Sequence, residues 1–457
     1  MGFLTEIGHN LRVIYAAAFL RTTGVGLTGV VLGVYLSRAG LSATQIGFVI
    51  TAGLAGAALG TLIVSLRADR LGRRLILIGI SLLAALGGLG FALTGRFHAI
   101  LFVAFAGMVN GMGTDRGPAF ALEQAVIPQT TSTDHRTAAL SWHSLIMDIG
   151  HAAGALIAGL PLLLSRSLHI DLLLAYKVTF GLYGALNLLT ASLYLLLTPD
   201  IEVRVPAASD VDTRRLSPKS RGVVARLAAL SGVDSLGGGF LTDALIAYWF
   251  FRRFGISEGT LGLLFFAGNL LNSGSYLIAA WLARRIGLLN TMVFTHIPSS
   301  LLLMAVPLAS SPGWAMAFYL AWEALVEMDV PTRQSYLMAV VEPGERTFAS
   351  GVTNLARSAS RSLTPSVAGY VMQHLALAAP LFLGGSIKIT YDLLLYSAFR
   401  RLKPPEEKGG SSQAPDQRLP DITSLDGPAG VAEQHLEADG LIKVVERLHT
   451  LFESEDS

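Results

Sequence analysis

Residues 38–47, RAGLSATQIG, recur in altered form at residues 253–262, RFGISEGTLG. The apolar segments that follow stay in step, so that Gly53 corresponds to Gly268. Three further matches follow in the same order along both copies: ADRLG at 68–72 with ARRIG at 283–287, RT at 136–137 with RT at 346–347, and AG at 158–159 with AG at 368–369. This shared order indicates that the chain contains two copies of one unit.

Each copy is built from apolar segments long enough to cross a bilayer, which takes about 20 residues. Of the 457 residues, 52% are hydrophobic and 14% charged, and the mean hydropathy is +0.54. These values exclude a soluble enzyme and a disordered chain, and the absence of cysteine excludes a disulfide scaffold. A transmembrane β-barrel would show strands of about ten residues in which polar inward-facing positions alternate with apolar ones, unlike the long apolar segments of this chain. The sequence predicts an all-helical membrane protein with twelve transmembrane helices in residues 11–37, 45–66, 74–94, 99–127, 137–164, 172–197, 223–250, 259–282, 290–309, 312–340, 347–373 and 378–399.

The twelve spans form two six-helix pseudo-repeats. An even number of spans restores the same orientation, so the repeat is parallel, and parallel repeats place a substrate site near the membrane midplane between them. We expect one bundle in residues 1–197, a cytoplasmic linker in 198–222, a second bundle in 223–400, and a cytoplasmic tail in 401–457. The tail is Pro/Gly/Ser-rich up to about residue 430, so we expect it to be mostly disordered, with a short amphipathic helix near its end.

Lysine and arginine residues set the predicted orientation. The even-numbered loops and the two tails carry most of the basic residues flanking the spans, whereas the odd-numbered loops hold only Arg38, Arg96, Arg166, Arg252 and Arg253. By the positive-inside rule both termini and the linker are cytoplasmic. The N-terminal segment has no basic region and no cleavage-like site, so it is expected to stay as an uncleaved anchor in the cytoplasmic (inner) membrane.

The loop between spans two and three, SLRADRLGRR at residues 65–74, resembles the signature loop of the major facilitator superfamily, G-x-L-A-D-R-x-G-R-R. A degenerate copy lies between spans eight and nine, as in that family. The resemblance covers residues 1–400 and implies the twelve-helix fold of the family and transport by alternating access. In the family this loop latches the outward-open state, which implies a conformational gate formed by Ser65, Asp69, Arg70, Gly72 and Arg73.

A weaker match lies in span five, where GHAAGALIAG at residues 150–159 resembles the antiporter motif of the family, G-x-x-x-G-P-x-x-G-G. Ala155 replaces the proline and Ala158 replaces one glycine. The alternative interpretation is ordinary packing of small residues between helices. The match favours export by antiport.

Ionisable residues inside spans are the candidate transport residues, because each costs roughly 2.5–3.5 kcal/mol at the bilayer centre unless it faces a cavity or a partner. Most of them fall on spans that line the central cavity in the family or lie beside it. The candidates for the substrate or proton pathway are Arg21, Asp115, Arg116, Asp148, His151, Asp234, Asp243, Glu323, Glu327, Arg357 and Arg361.

Helical spacing and depth suggest how these charges interact. Glu323 and Glu327 form a like-charged i,i+4 pair, as do Arg357 and Arg361. Either the acidic and basic pairs neutralise one another, or one carboxylate carries a coupling proton, or the groups contact substrate. Arg116 with Asp148, and Glu327 with Arg361, lie at similar depths. Asp329 and Arg333 share one helix face, and so do Lys388 and Asp392, which we interpret as a structural pair on a lipid-facing helix.

Three further residues allow specific expectations. Asp243 follows the weak point at Gly237–Gly239 and is the better proton or substrate candidate of the two acids in span seven. Arg21 has no acid on its own helix, so it needs a carboxylate from another helix, such as Asp234 or Asp243, or an anionic ligand. His151 either shares the proton of Asp148 or is a packing residue.

These observations predict a secondary transporter, with proton-coupled export of a small amphipathic metabolite or drug as the favoured function. One alternative is import or exchange of an organic anion held by the intramembrane arginines. Another is a non-transporting receptor that signals through the tail. The sequence shows no nucleophile–base constellation, nucleotide loop or metal-ligand cluster, so we expect no enzyme activity, no cofactor and no metal. The expected partners are a small-molecule substrate, protons and the lipid bilayer, without nucleic acid, and we expect the monomer to be functional.

Overall fold

The computed structural model describes residues 7–114, 117–131, 135–202, 218–341 and 346–400. Within these ranges the regular structure is entirely helical. The helices of the first half are α1 His9–Arg38, α2 Ala43–Leu71, α3 Arg73–Leu93, α4 Phe97–Gly107, α5 Pro118–Val126, α6 Arg136–Leu156, α7 Leu160–Leu168 and α8 Leu172–Tyr194. Those of the second half are α9 Pro218–Gly239, α10 Asp243–Phe254, α11 Glu258–Ile286, α12 Leu288–Ala305, α13 Pro312–Val326, α14 Asp329–Val340, α15 Arg346–His374 and α16 Ala379–Phe399.

Six helical segments of the described chain are long and apolar enough to cross a membrane: His9–Arg38, Ala43–Leu71, Arg73–Leu93, Ala138–Leu168, Leu172–Tyr194 and Leu288–Leu308. Each of the twelve predicted spans contains one or two of the observed helices. The count of twelve membrane crossings stays a prediction from the sequence. The predicted amphipathic helix of the tail and most of the linker lie outside the described residues.

Four of the predicted spans are interrupted rather than continuous. The fourth span breaks between α4 and α5, the fifth at the 3₁₀ turn Ile157–Gly159, the seventh between α9 and α10, and the tenth between α13 and α14. The span assignment from the sequence treated each of these segments as one helix, although it marked Gly237–Gly239 as a weak point in the seventh span. Non-helical backbone at membrane depth is tolerated where it lines a cavity or is buried in protein.

The repeat seen in the sequence is reproduced in the backbone. Ser42 and Ser257 hold the same position in the two copies, and each side chain accepts a hydrogen bond from the N3 amide of the helix that follows. Gly72 and Gly287 end α2 and α11 with φ angles of 95° and 87°. Because side chains other than glycine rarely adopt this conformation, the paired glycines fix the same tight turn in both halves.

The two halves pack closely near the loops that join spans one and two, three and four, five and six, and their counterparts in the second half; we call this side the odd-loop end. The contacts pair α1 with α10, α2 with α15 and α6 with α11. A Cβ atom added at Gly47, Gly262 or Gly369 would overlap a backbone carbonyl oxygen of the other half. Each of these glycines lies within about two turns of the odd-loop end of its helix. The odd-loop end is therefore closed.

The closed end can be tested by a disulfide, because the chain contains no cysteine. A Cβ atom at Gly159 would lie 3.1 Å from the Cα atom of Gly259 in the other half. Cysteine side chains introduced at these two positions would therefore be in contact. We expect the double variant Gly159→Cys/Gly259→Cys to form an internal disulfide under mild oxidation, measured by mass spectrometry of the purified protein.

Each single-cysteine variant serves as the control, since neither can form an internal bond. A double variant whose two thiols remain free under oxidation would contradict the packing of the two halves at this end.

Candidate functional site

A polar cavity lies at the depth where the helices are interrupted, lined mainly by the second half and, from the first half, by Met112 and Thr114. Its walls come from the break in the fourth span, from both sides of the seventh and tenth spans, and from α11, α15 and α16. The cavity brings together six of the predicted site residues: Asp234, Asp243, Glu323, Glu327, Arg357 and Arg361. The apolar part of the wall includes Phe265 and Trp322.

One side of the cavity is acidic. Glu323 is 8% exposed and accepts hydrogen bonds from the Tyr319 hydroxyl, at 2.6 Å, and from the amide of Asn272. Asp243 begins α10, and within the described part of the chain its carboxylate has no hydrogen-bond or ion-pair partner. A Cβ atom at Gly113 would overlap Oδ2 of Asp243, so only glycine fits beside this carboxylate. We call Asp243 and Glu323 the acidic pair.

The other side of the cavity is an ion network in the second half. Asp234 is 3% exposed and lies 3.1 Å from Nη1 of both Arg333 and Arg357. Arg333 also pairs with Asp329 at 2.6 Å, as the i,i+4 spacing predicts. Arg357 binds Asp234, a partner that the spacing of the charges did not indicate. Neutralisation of the glutamate pair by Arg357 and Arg361 stays a prediction.

Lys388 and Asp392 on α16 extend this network. They are 7% and 0% exposed, so their interpretation as a lipid-facing pair is wrong. The Nδ1 atom of His296 lies 3.0 Å from both carboxylate oxygens of Asp392, and Nε2 lies 3.2 Å from the Lys388 ammonium. Lys388 also donates to Asp234 at 3.2 Å. With Nδ1 protonated and donating to Asp392, Nε2 accepts from Lys388, which gives a continuous set of hydrogen bonds from α16 to the cavity wall.

The first half contains a separate buried cluster. Arg21 forms two hydrogen bonds with Glu123, at 2.7 and 2.8 Å, and Tyr194 and His143 bind the same carboxylate at 2.5 and 3.0 Å. Arg21 is 6% exposed and Glu123 is fully buried. Arg21 therefore has a carboxylate partner from another helix, as expected, but the partner is neither Asp234 nor Asp243. The residues that complete this cluster, His143 and Tyr194, carried no signal in the sequence.

Each half has an ion pair between its first and fourth spans, and the charges are exchanged between the two halves. The first half joins Arg21 on its first span to Glu123 on its fourth span. The second half joins Asp234 on its first span to Arg333 on its fourth span. Both pairs tie the first and fourth helices of a bundle together, so each half is held as a unit around the cavity.

The loop predicted as a conformational gate is anchored within the first half. Arg73 binds Asp69 at 2.8 Å and Gln129 at 2.7 Å, while the carboxylate of Glu202 accepts the backbone N–H groups of Arg73 and Arg74. Glu202 thus caps the N-terminus of α3, a contact that the sequence did not indicate. The Ser65 hydroxyl donates to its own helix, and Arg70 is exposed. The latch role of Ser65, Asp69, Arg70, Gly72 and Arg73 stays a prediction.

The remaining predicted residues lie in or near the fifth span. Gly150 and Gly154 of α6 pack against the backbone or side chains of α1, and the carbonyl of His151 packs against Gly26. The motif therefore provides close helix packing, the alternative interpretation given by the sequence. His151 is 4% exposed and Asp148 is half-buried. Asp115 and Arg116 lie outside the described residues, so the pairing of Arg116 with Asp148 stays a prediction, as does that of Glu327 with Arg361.

Comparisons with known proteins agree with this architecture. The family model described as Major Facilitator Superfamily matches residues 14–365 and 228–443. An uncharacterized membrane protein of Saccharomyces cerevisiae is 27% identical over 421 residues, covering 86% of this chain and 94% of that protein. The crystal structure of the nucleoside transporter NupG superposes with a TM-score of 0.66 at 14% identity, covering 86% of this chain and 100% of that one. A D-xylose–proton symporter gives a TM-score of 0.65 at 15% identity, with coverages of 84% and 96%.

The cluster around Arg21 generates a stability prediction. Glu123→Ala leaves a buried guanidinium without its carboxylate, which costs about 3–5 kcal/mol of folding free energy. The double variant Arg21→Met/Glu123→Leu removes both charges and leaves no unpaired ion, so we expect it to lose much less stability. Thermal unfolding of the two purified variants in the same detergent measures the difference.

An equal loss in the single and double variants would contradict the assignment of this ion pair. Gly79→Ala is the matched control, because a Cβ atom there meets nothing within 4 Å.

Proposed function

This chain belongs to the major facilitator superfamily and is a secondary transporter rather than an enzyme, and we propose that it exports a small amphipathic solute in exchange for protons. The solute binds in the cavity between the halves. The acidic pair, Asp243 and Glu323, carries the coupling proton. We further propose that the protein works as a monomer in the cytoplasmic membrane with both termini on the cytoplasmic side.

The observation that carries the proposal is the acidic pair itself. Most of the charged groups on the cavity wall are bound into the network around Asp234, whereas Asp243 has no partner among the described residues and Glu323 is held only by neutral donors. Two ionised carboxylates in one cavity repel each other, and protonation of either one, or a bound cation, relieves the repulsion. The site therefore suits two ligands that exclude one another, a proton and a positively charged group.

The chemistry of the wall favours a solute that combines a cationic group with an apolar body. Trp322 and Phe265 supply apolar and aromatic surface beside the carboxylates. Aromatic faces attract cations as well as apolar groups. Glu327, which the sequence also indicated, lines the same cavity and is the candidate proton carrier after the acidic pair.

The proposed export cycle can start from the conformation in which the odd-loop end is closed. The opposite end carries most of the basic residues and is placed in the cytoplasm by the positive-inside rule. A cavity closed at the odd-loop end accepts solute from the cytoplasmic side. Rocking of the two halves about the cavity would then deliver the solute outwards, with Asp69, Arg70 and Arg73 latching the outward-open state.

The organic-anion alternative loses part of its basis, because Arg21 is bound to Glu123 within the first half. That alternative now depends on Arg361, on the cavity wall, and on Arg116, which lies outside the described residues. The receptor alternative depends on the tail, which lies outside the described residues.

Proton-competitive binding can be measured by thermal shift with two probes, the lipophilic cation tetraphenylphosphonium and the organic anion p-aminohippurate. A ligand of the folded state raises its apparent stability. We expect tetraphenylphosphonium to stabilise the protein more at pH 8 than at pH 6, because protonation of the acidic pair competes with the cation. Asp243→Asn, Glu323→Gln and Glu327→Gln test the three carboxylates one at a time, and we expect the first two to abolish the stabilisation.

The matched control is Asp200→Asn, which neutralises an exposed carboxylate outside the cavity and is expected to bind like the parent protein. Stabilisation by p-aminohippurate that disappears in Arg361→Ala, with no response to the cation, would replace this proposal by the anion alternative.

A further inference from the structure

We propose that Glu258, clamped by Arg38 and Tyr176, is the gate that controls access to the cavity from the odd-loop end. The Arg38 Nε atom lies 3.0 Å from Oε1 of Glu258, and the Tyr176 hydroxyl donates to the same oxygen. Glu258 is fully buried, whereas the Arg38 side chain is 29% exposed. A charged group is thus withdrawn from water at the rim where the two halves meet.

The contacts of Glu258 with Arg38 and Tyr176 join the two halves. Arg38 ends α1 and Tyr176 lies in the first turns of α8, both in the first half, whereas Glu258 is the first residue of α11 in the second half. Arg38 also lies over the ring of Phe251 on α10, with its guanidinium carbon 4.7 Å from the ring centroid. Separation of the halves at this end must therefore break both hydrogen bonds to Glu258 and the contact with Phe251.

Among the described residues, only one of the two carboxylate oxygens of Glu258 accepts hydrogen bonds. Oε2 of Glu258 is buried and has no hydrogen-bond partner within the described part of the chain. A buried acceptor without a partner costs free energy, whereas water would satisfy it when the halves separate. The closed state gains two hydrogen bonds to one oxygen and leaves the other unmatched. This combination lets the rim close firmly and still reopen, as a gate requires.

Comparison of the repeats shows that the carboxylate is specific to one half. The residue that corresponds to Glu258 in the first copy is Ala43, and its carbonyl packs against Gly369 of the second half. The residue that corresponds to Arg38 is Arg253, which is exposed. Both sides of the rim are closed by close backbone packing, and the side of Glu258 has a breakable ion pair in addition.

The gate can be tested by cysteine accessibility, which reads conformation without requiring a substrate. Asn269 lines the cavity, and Asn269→Cys would be the only thiol in the protein. In oriented proteoliposomes a membrane-impermeant maleimide is applied on the odd-loop side, and labelling of a separate Gly95→Cys variant, in the exposed loop after α3, marks that side. We expect Glu258→Gln to increase the labelling rate of Asn269→Cys by about tenfold, the change produced by 1.4 kcal/mol.

Two partner variants complete the test. Arg38→Gln should raise the labelling rate in the same direction, and its combination with Glu258→Gln should add little further, because both remove one interaction. Arg253→Gln is the matched control and should leave the rate unchanged. Tyr176→Phe removes only the hydroxyl and should give a smaller increase.

The proposal is overturned by an unchanged or slower rate in folded Glu258→Gln protein. If that variant does not fold, an unchanged rate in Tyr176→Phe overturns it. The assay does not involve the coupling proton, so either outcome leaves the role of the acidic pair to its own experiment.

Discussion

An ion in an apolar interior is stable only when a partner or water compensates its charge, and this constraint organises the protein. In the first half Arg21 is satisfied by Glu123, and in the second half Asp234 is satisfied by Arg333, Arg357 and Lys388. Because the Arg21–Glu123 and Asp234–Arg333 pairs join the first and fourth spans of each bundle, charge compensation also holds each bundle together. In the acidic pair, Glu323 accepts hydrogen bonds, among the described residues, only from the neutral groups of Tyr319 and Asn272, and both carboxylates line the cavity. The acidic pair is therefore the place where a mobile cation or proton is most needed.

The same constraint explains why the halves meet as they do. At the odd-loop end the interface is mostly glycine against backbone, which brings helices close without burying charge. Glu258 is the exception, and its burial is matched by Arg38 and Tyr176. The basic gate loop at the opposite end binds within the first half through Asp69, Gln129 and Glu202. In the proposed alternating-access cycle, closure at one end and an internally bound loop at the other belong to one conformation.

Much of the fold is predictable from the sequence because the signals are local or repeated. The apolar segments gave the helices, and the matched copies predicted equivalent turns, which Gly72 and Gly287 confirm through their φ angles. The cavity residues Asp234, Asp243, Glu323 and Arg361 were found because charges within apolar spans are conspicuous. The partners were not predictable in the same way. Which helix faces meet depends on packing, so Glu123 was not recognised as the partner of Arg21, and Lys388 was placed towards lipid.

Calorimetry can count the protons that the acidic pair releases when a cation binds. Binding of tetraphenylphosphonium is measured by isothermal titration in two buffers of different ionisation enthalpy at a pH where the free protein holds the proton. If the acidic pair exchanges a proton for a cation, binding releases about one proton per cation, as linkage requires, and release disappears in Asp243→Asn and in Glu323→Gln. Binding of the cation without proton release in the parent protein would contradict the exchange of a proton for a cation at the acidic pair.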